Sequence, residues 1–139
     1  MRKIITIGIS LFIILTFLVA CNQGSTSITL DNMKNTLKNT GYTIDENYAE
    51  FYKSQEDRIH SIRGFSFIFP GENGNVNTPV LEFQDNASAE SYAELVNYTG
   101  YYLAIVNDKF LTIVRADNGV ADDNEKIFFE KLINGKSIK

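Results

Sequence analysis

The chain holds one Cys, one His, no Trp and two Pro among its 139 residues. A single Cys excludes an intramolecular disulfide framework and any zinc or iron–sulfur site built on several thiolates; a single His excludes sites that need several imidazoles. Basic residues are also the minority, 13 against 17 acids for a formal charge of −4, which argues against a nucleic-acid partner. With 44% hydrophobic and 22% charged residues and so little proline, the chain is not a disordered polymer. Its length fits one domain. Nothing in this composition implies a cofactor.

The most informative stretch comes first. Arg2 and Lys3 precede residues 4–17, fourteen uncharged and strongly apolar positions, the layout of a secretory signal peptide. Leu18-Val19-Ala20-Cys21 follows: a branched apolar residue, a second tolerated residue, a small one, then the chain's only Cys. This tetrapeptide resembles the lipobox of bacterial lipoproteins. The resemblance covers the N-terminal stretch alone. It implies that residues 1–20 are a signal peptide cut before Cys21, that the Cys21 thiol carries a diacylglyceryl group, and that the amino group freed by the cut is open to acylation. It further implies a protein held by its lipid on the outward face of a bacterial cell membrane, each buried acyl methylene contributing about 0.8 kcal/mol.

Two other readings of the segment stay open on length. Residues 4–20 are seventeen uncharged positions, at the lower edge of the roughly 17–25 that span a bilayer, and an ordinary secretory signal could carry a chance Cys. Against a spanning helix stand the positive charges ahead of the run and the polar residues 22–27 behind it, which include no basic stop-transfer cluster. Without residues 1–20 the balance is 11 basic against 17 acidic side chains, net −6. Such a body is repelled by an anionic membrane and stands off on its tether, although the same balance also serves ordinary solubility.

Residues 21–28 read as the lipidated Cys and a flexible tether, and residues 29–139 as a single domain. A helix is expected over residues 30–40, with Thr29 or Asp31 as cap, Leu30, Met33 and Leu37 on one face, and Gly41 ending it. A strand starts at Tyr42-Thr43-Ile44. Residues 45–59 are ambiguous, Tyr48, Phe51 and Tyr52 having helical spacing between charged flanks, and are read as a loop with a helical turn. Residues 62–69 alternate Phe65, Phe67 and Phe69 as a strand, residues 70–75 break it, and residues 80–83 resume as its partner. A second helix runs from about 87 to 98 after Asp85-Asn86, carrying Ala89, Tyr92, Ala93 and Val96 on one stripe. Residues 101–106 and 110–115 form a hairpin around Asn107-Asp108-Lys109. Asp117-Asn118-Gly119 turns the chain, and Asp122 with Glu125 opens a last helix to Ile133, with Gly135 behind it. This order predicts an α+β two-layer sandwich, a mainly antiparallel sheet with about three helices packed on one face.

Two local patterns carry further expectations. Thr40-Gly41-Tyr42 and Thr99-Gly100-Tyr101 both end a helix and open a strand, through duplication or through convergence on the same junction. A Schellman cap at each would bring together Leu37 with Tyr42 and Val96 with Tyr101. In the hairpin, a turn at Asn107-Asp108 puts Tyr101, Leu103, Ile105, Phe110, Thr112 and Val114 on one face and Tyr102, Ala104, Val106, Lys109, Leu111 and Ile113 on the other. Both faces are largely apolar, so the second face needs a cover: residues 45–61, the third helix, a partner or a ligand.

Catalytic chemistry finds little support. His60 is the only imidazole and lies in the charged Asp57-Arg58-Ile59-His60-Ser61, Cys21 is assigned to lipid, and no catalytic residue is singled out. Seventeen acids offer many pairs, none distinguished by spacing. Residues 117–125 invite a calcium reading but fail as an EF-hand, with Asp122 at position six and Phe128 at position twelve, so no metal ligand is assigned. Tyr98, Tyr101 and Tyr102, with Tyr92 nearby, are candidates for a stacking surface that binds a sugar or peptide, with core and sheet-edge packing as the competing role. The expected function is a lipid-anchored binding or interaction module of the bacterial envelope. An envelope hydrolase using paired carboxylates and a passive envelope spacer are the alternatives.

Overall fold

Each helix among the described residues begins at a side chain that takes up main-chain donors the helix leaves free. Thr29 Oγ1 accepts from the Asn32 amide at 3.1 Å, Asp85 Oδ1 from that of Ser88 at 2.8 Å, and Asp122 Oδ1 from those of Asn124 and Glu125 at 2.9 and 3.1 Å. They open α1 (Leu30–Asn39), α2 (Asn86–Tyr98) and α3 (Asp123–Ile133). The strands are β1 (Ile44–Asp45), β2 (Ser61–Gly71), β3 (Gly74–Phe83), β4 (Tyr102–Asn107) and β5 (Phe110–Arg115). These elements belong to a computed structural model that describes residues 27–46, 61–71 and 74–139. The expectations for Cys21 and the lipobox, for Tyr48, Phe51 and Tyr52, and for His60 fall outside the described residues. Among the described residues no helix is long and apolar enough to cross a membrane.

The described residues form an α+β sandwich of three helices and one five-stranded antiparallel sheet, in the order β1-β2-β3-β5-β4. The layering is richer than one helical face. Register puts Phe65, Phe67, Val80, Phe110 and Val114 on one side of the sheet, where they form a core with Leu30, Met33 and Leu37 of α1 and Phe129, Leu132 and Ile133 of α3. Leu81, Phe83 and Leu111 point the other way and pack with Ala89 and Ala93 of α2, with Ala104, Val106 and Ile113 around them. The two apolar hairpin faces are therefore each covered by a helix of the same chain. α3 lies on one side as the covering candidate, and α2 supplies the second cover.

The hairpin turn differs from expectation by one residue. Asn107 pairs with Phe110, so Asp108 and Lys109 make the turn, with Asp108 at φ +53°. Moving a two-residue turn one place along the chain shifts the pairing by two. Since side chains alternate with period two, the strand residues keep their expected faces, and Lys109, expected on the second face, lies in the turn instead. β2 and β3 also run further towards their hairpin than expected, pairing as far as Gly71 with Gly74. Pro70 and Asn75 are paired members of that ladder, and their exposed side chains gave no apolar signal of it.

The two Thr-Gly-Tyr junctions are built differently. After α1, the Tyr42 amide donates to Leu37 O at 3.0 Å and the Gly41 amide to Lys38 O at 3.1 Å, with Gly41 at φ +93°: the Schellman arrangement. It delivers Tyr42 onto Phe67 at 5.6 Å between ring centroids, within an aromatic group that includes Phe69, Phe128 and Phe129. After α2, Thr99 Oγ1 takes the Val96 carbonyl at 2.8 Å, and the Tyr101 amide reaches only that hydroxyl, at 3.3 Å. Val96 and Tyr101 do not pair as expected, and Tyr101 is turned outward.

Candidate functional site

The sheet divides between two of its inner strands, and a proline explains where. β3 and β5 are joined only by Val80 with Thr112, Leu81 with Leu111, and Glu82 with Phe110. Main-chain groups of alternate residues in an antiparallel strand point to opposite neighbours. The Phe83 amide donates to Lys109 O at 2.8 Å, and Pro79 O accepts from Thr112 Oγ1 at 2.8 Å, so the odd-numbered residues of β3 turn towards β5. Pro79 is one of these and has no N–H to donate. The ladder stops there. β3 continues paired to β2, β5 continues paired to β4, and a cleft of about 850 Å³ opens between them, within the range of ligand sites.

Phe69, Gly71, Val76 and Thr78 line the cleft from the β2–β3 hairpin, and Val114, Arg115, Ala116 and Asp117 from the end of β5. Phe129 and Glu125 of α3 and the capping Asp122 line it as well, with Tyr101, Tyr102 and Val120 completing the wall. Phe69 is fixed by rings on either side, 5.0 Å from Phe129 and 6.2 Å from Tyr42, the latter stacked. The turn at Asn118-Gly119 is held against the α2 terminus by the Gly119 amide, which donates to Gly100 O at 2.7 Å. Both turn residues have positive φ, as a type I′ turn requires, and this brings Val120 round beside Tyr101.

The three sequence-predicted tyrosines separate. Tyr101 and Tyr102 are 72% and 48% exposed and line the cleft; Tyr98 is 92% exposed at the end of α2 and lies outside its lining. Tyr92 is spent on the second core, 5.6 Å from the Phe83 ring. The charged lining comprises Arg115 against Asp117, Asp122 and Glu125, a net charge of −2. Asp122 is committed to the α3 cap, and Glu125 Oε1 extends to within 4.0 Å of the space a Cβ would occupy at Gly71. Among the described residues no group of three or more His, Cys, Asp or Glu is arranged to hold a metal ion.

A second polar centre lies elsewhere on the sheet. Glu82 is only 3% exposed, yet its carboxylate bonds to Lys109 Nζ at 2.7 Å and to Arg63 Nε. Burial alone would raise its pKa; the bonds and charges of Lys109 and Arg63 outweigh that and hold it below the usual glutamate range. With both cations partly exposed, this group ties the β2–β3–β5 junction together at the end of the sheet that stays closed. Its position was not legible from sequence, because Leu81-Glu82-Phe83 reads as alternation with Glu82 towards solvent. For the cleft, the available signal was Pro79 directly before an apolar strand run. Comparison of the chain with protein-family models, curated proteins and solved structures finds no match to any of them.

Proposed function

We propose that the protein is a lipid-anchored binding module on the outward face of a bacterial cell membrane, attached through Cys21, and that the cleft between β3 and β5 receives its ligand. The observation that carries this reading is the cleft itself: an internal division of the sheet, walled by Phe69, Val114 and Phe129 and rimmed by exposed Tyr101 and Tyr102. Such an arrangement couples apolar depth to polar edges, which is what ligand sites share. A passive spacer has no use for it. A carboxylate hydrolase would need two acids facing one bond; with Asp122 accepting two main-chain amides, that reading would rest on Asp117 and Glu125.

The test uses the full chain expressed in a lipoprotein-processing bacterium, with a photo-crosslinking residue at position 101 or, as control, at exposed Glu90 on α2. Crosslinking on intact cells should capture an envelope component at 101 and not at 90, and a Cys21→Ser variant should leave the membrane fraction and lose fatty-acid label. Equal capture at both positions would remove the cleft from the proposal, and a Cys21→Ser variant that kept its label and location would remove the anchor.

A further inference from the structure

We infer that the ligand of this cleft is an extended polypeptide segment bearing a cationic side chain, added as a strand to the edge of β3 at Asn75 and Asn77; the inference rests on the cleft being the binding site. The odd-numbered residues of β3 direct their main-chain groups away from β2. Beyond Pro79 these are Asn77 and Asn75, both exposed, and among the described residues no strand pairs with them on that side. Two residues two apart in a strand offer donors and acceptors about 6.6 Å apart, the repeat an added strand matches.

The outer edge of β4 is treated differently. There the Ala104 amide is taken by Asn97 Oδ1 of α2 at 2.7 Å, the kind of cover that keeps a strand edge from recruiting another chain. Among the described residues the edge at Asn75 and Asn77 carries no such cover, and Val76 and Thr78, which alternate with them, line the cleft. A strand added to that edge would direct alternate side chains towards Val76, Val114 and Phe129, the apolar part of the lining. Asp117, Asp122 and Glu125 outnumber Arg115 around the same space, so a Lys or Arg on the incoming segment is favoured over an acid. A saccharide would use the tyrosines and the acids but has no use for a strand edge.

The test is selection of a displayed library of random decapeptides against the purified full chain in detergent micelles, followed by binding of the enriched peptides as synthetic compounds. Enriched sequences should alternate apolar residues and carry Lys or Arg. N-methylation of alternate amides should weaken binding at least tenfold, because it removes the donors that pair with β3 while leaving the side chains. Pro79→Val supplies the missing N–H, allows β3 to close onto β5, and should weaken the unmodified peptides to a similar degree. Peptides that bind equally well after N-methylation at either set of amides overturn the inference, and that measurement needs only the unaltered protein. A tetramer of N-acetylglucosamine serves as the competing probe. If it binds and Tyr101→Ala or Tyr102→Ala abolishes its binding while no peptide binds, the polypeptide inference fails and the binding cleft stands; if neither probe binds, both fail.

Discussion

The Thr112 hydroxyl donates to the Pro79 carbonyl at 2.8 Å, across β3 and β5 at the point where their ladder ends. Thr112 is fully buried, so this bond closes the last contact before the cleft without spending a main-chain donor. A side chain thereby fixes where the sheet divides, and Pro79 fixes that it divides.

Thr112→Val keeps the shape and removes the donor. It should lower stability by about 1–2 kcal/mol, the usual cost of leaving a buried polar partner short of a bond. Urea unfolding of the variant checks this, and an unchanged midpoint would mean the hydroxyl contributes nothing at the junction.

Gly64 carries the opposite kind of constraint. A Cβ there would lie 2.7 Å from the Val80 carbonyl oxygen and 2.8 Å from Leu81 Cδ2, and the first neighbour is backbone that cannot swing aside. Gly64→Ala should cost at least about 2 kcal/mol through overpacking. Gly41→Ala meets open space but φ +93°, and should cost about 1–2 kcal/mol from the left-handed backbone alone. The two unfolding curves together separate crowding from backbone conformation.

Glu82 makes stability depend on acid. Its folded-state pKa lies below the ordinary value, so the unfolded chain takes up a proton first and stability falls as pH drops. The contribution is complete above the unfolded pKa of about 4.3 and disappears as pH falls through the lower folded value. Glu82→Gln should be less stable than the parent at pH 7, and the gap should narrow as pH falls below the unfolded value and through the lower folded one. A gap that stayed constant over that range would assign the loss to packing rather than charge.

Asp108 holds φ +53° in the β4–β5 turn, a conformation glycine adopts without the steric cost a Cβ brings. Asp108→Gly should therefore leave stability unchanged or raise it by up to about 1 kcal/mol, the gain being offset by the entropy glycine adds to the unfolded chain. Calorimetric melting measures it, and a clear loss would show that the Asp side chain itself supports the turn.

The local signals in the sequence were sufficient wherever the determining chemistry is local. Thr29, Asp85 and Asp122 cap the helices they precede, the element order is the one expected, and the hairpin faces survive a displaced turn because the pairing moved by an even number. What depended on distant partners was hidden. With both hairpin faces apolar, periodicity could not say that α2 would cover one and α1 with α3 the other. Glu82 stays charged while buried because Arg63 of β2 and Lys109 of the β4–β5 turn meet it, and no spacing along the chain announces that. Tyr101 and Tyr102 were legible as candidates; the cleft they line was not, since it arises from a missing N–H at Pro79, one strand away.

The most direct measurement is labelling with a membrane-impermeant maleimide on intact cells, using single Asn77→Cys and Glu90→Cys substitutions in the full chain. Glu90 is exposed on α2, away from the cleft; Asn77 is exposed on β3 between Val76 and Thr78, which line it. An outward-facing, lipid-anchored module with an occupied cleft predicts rapid labelling of Glu90→Cys on cells, and labelling of Asn77→Cys that is slow on cells but rapid on the purified protein. Labelling of Glu90→Cys only after lysis, or of Asn77→Cys at the same rate in both settings, would contradict it.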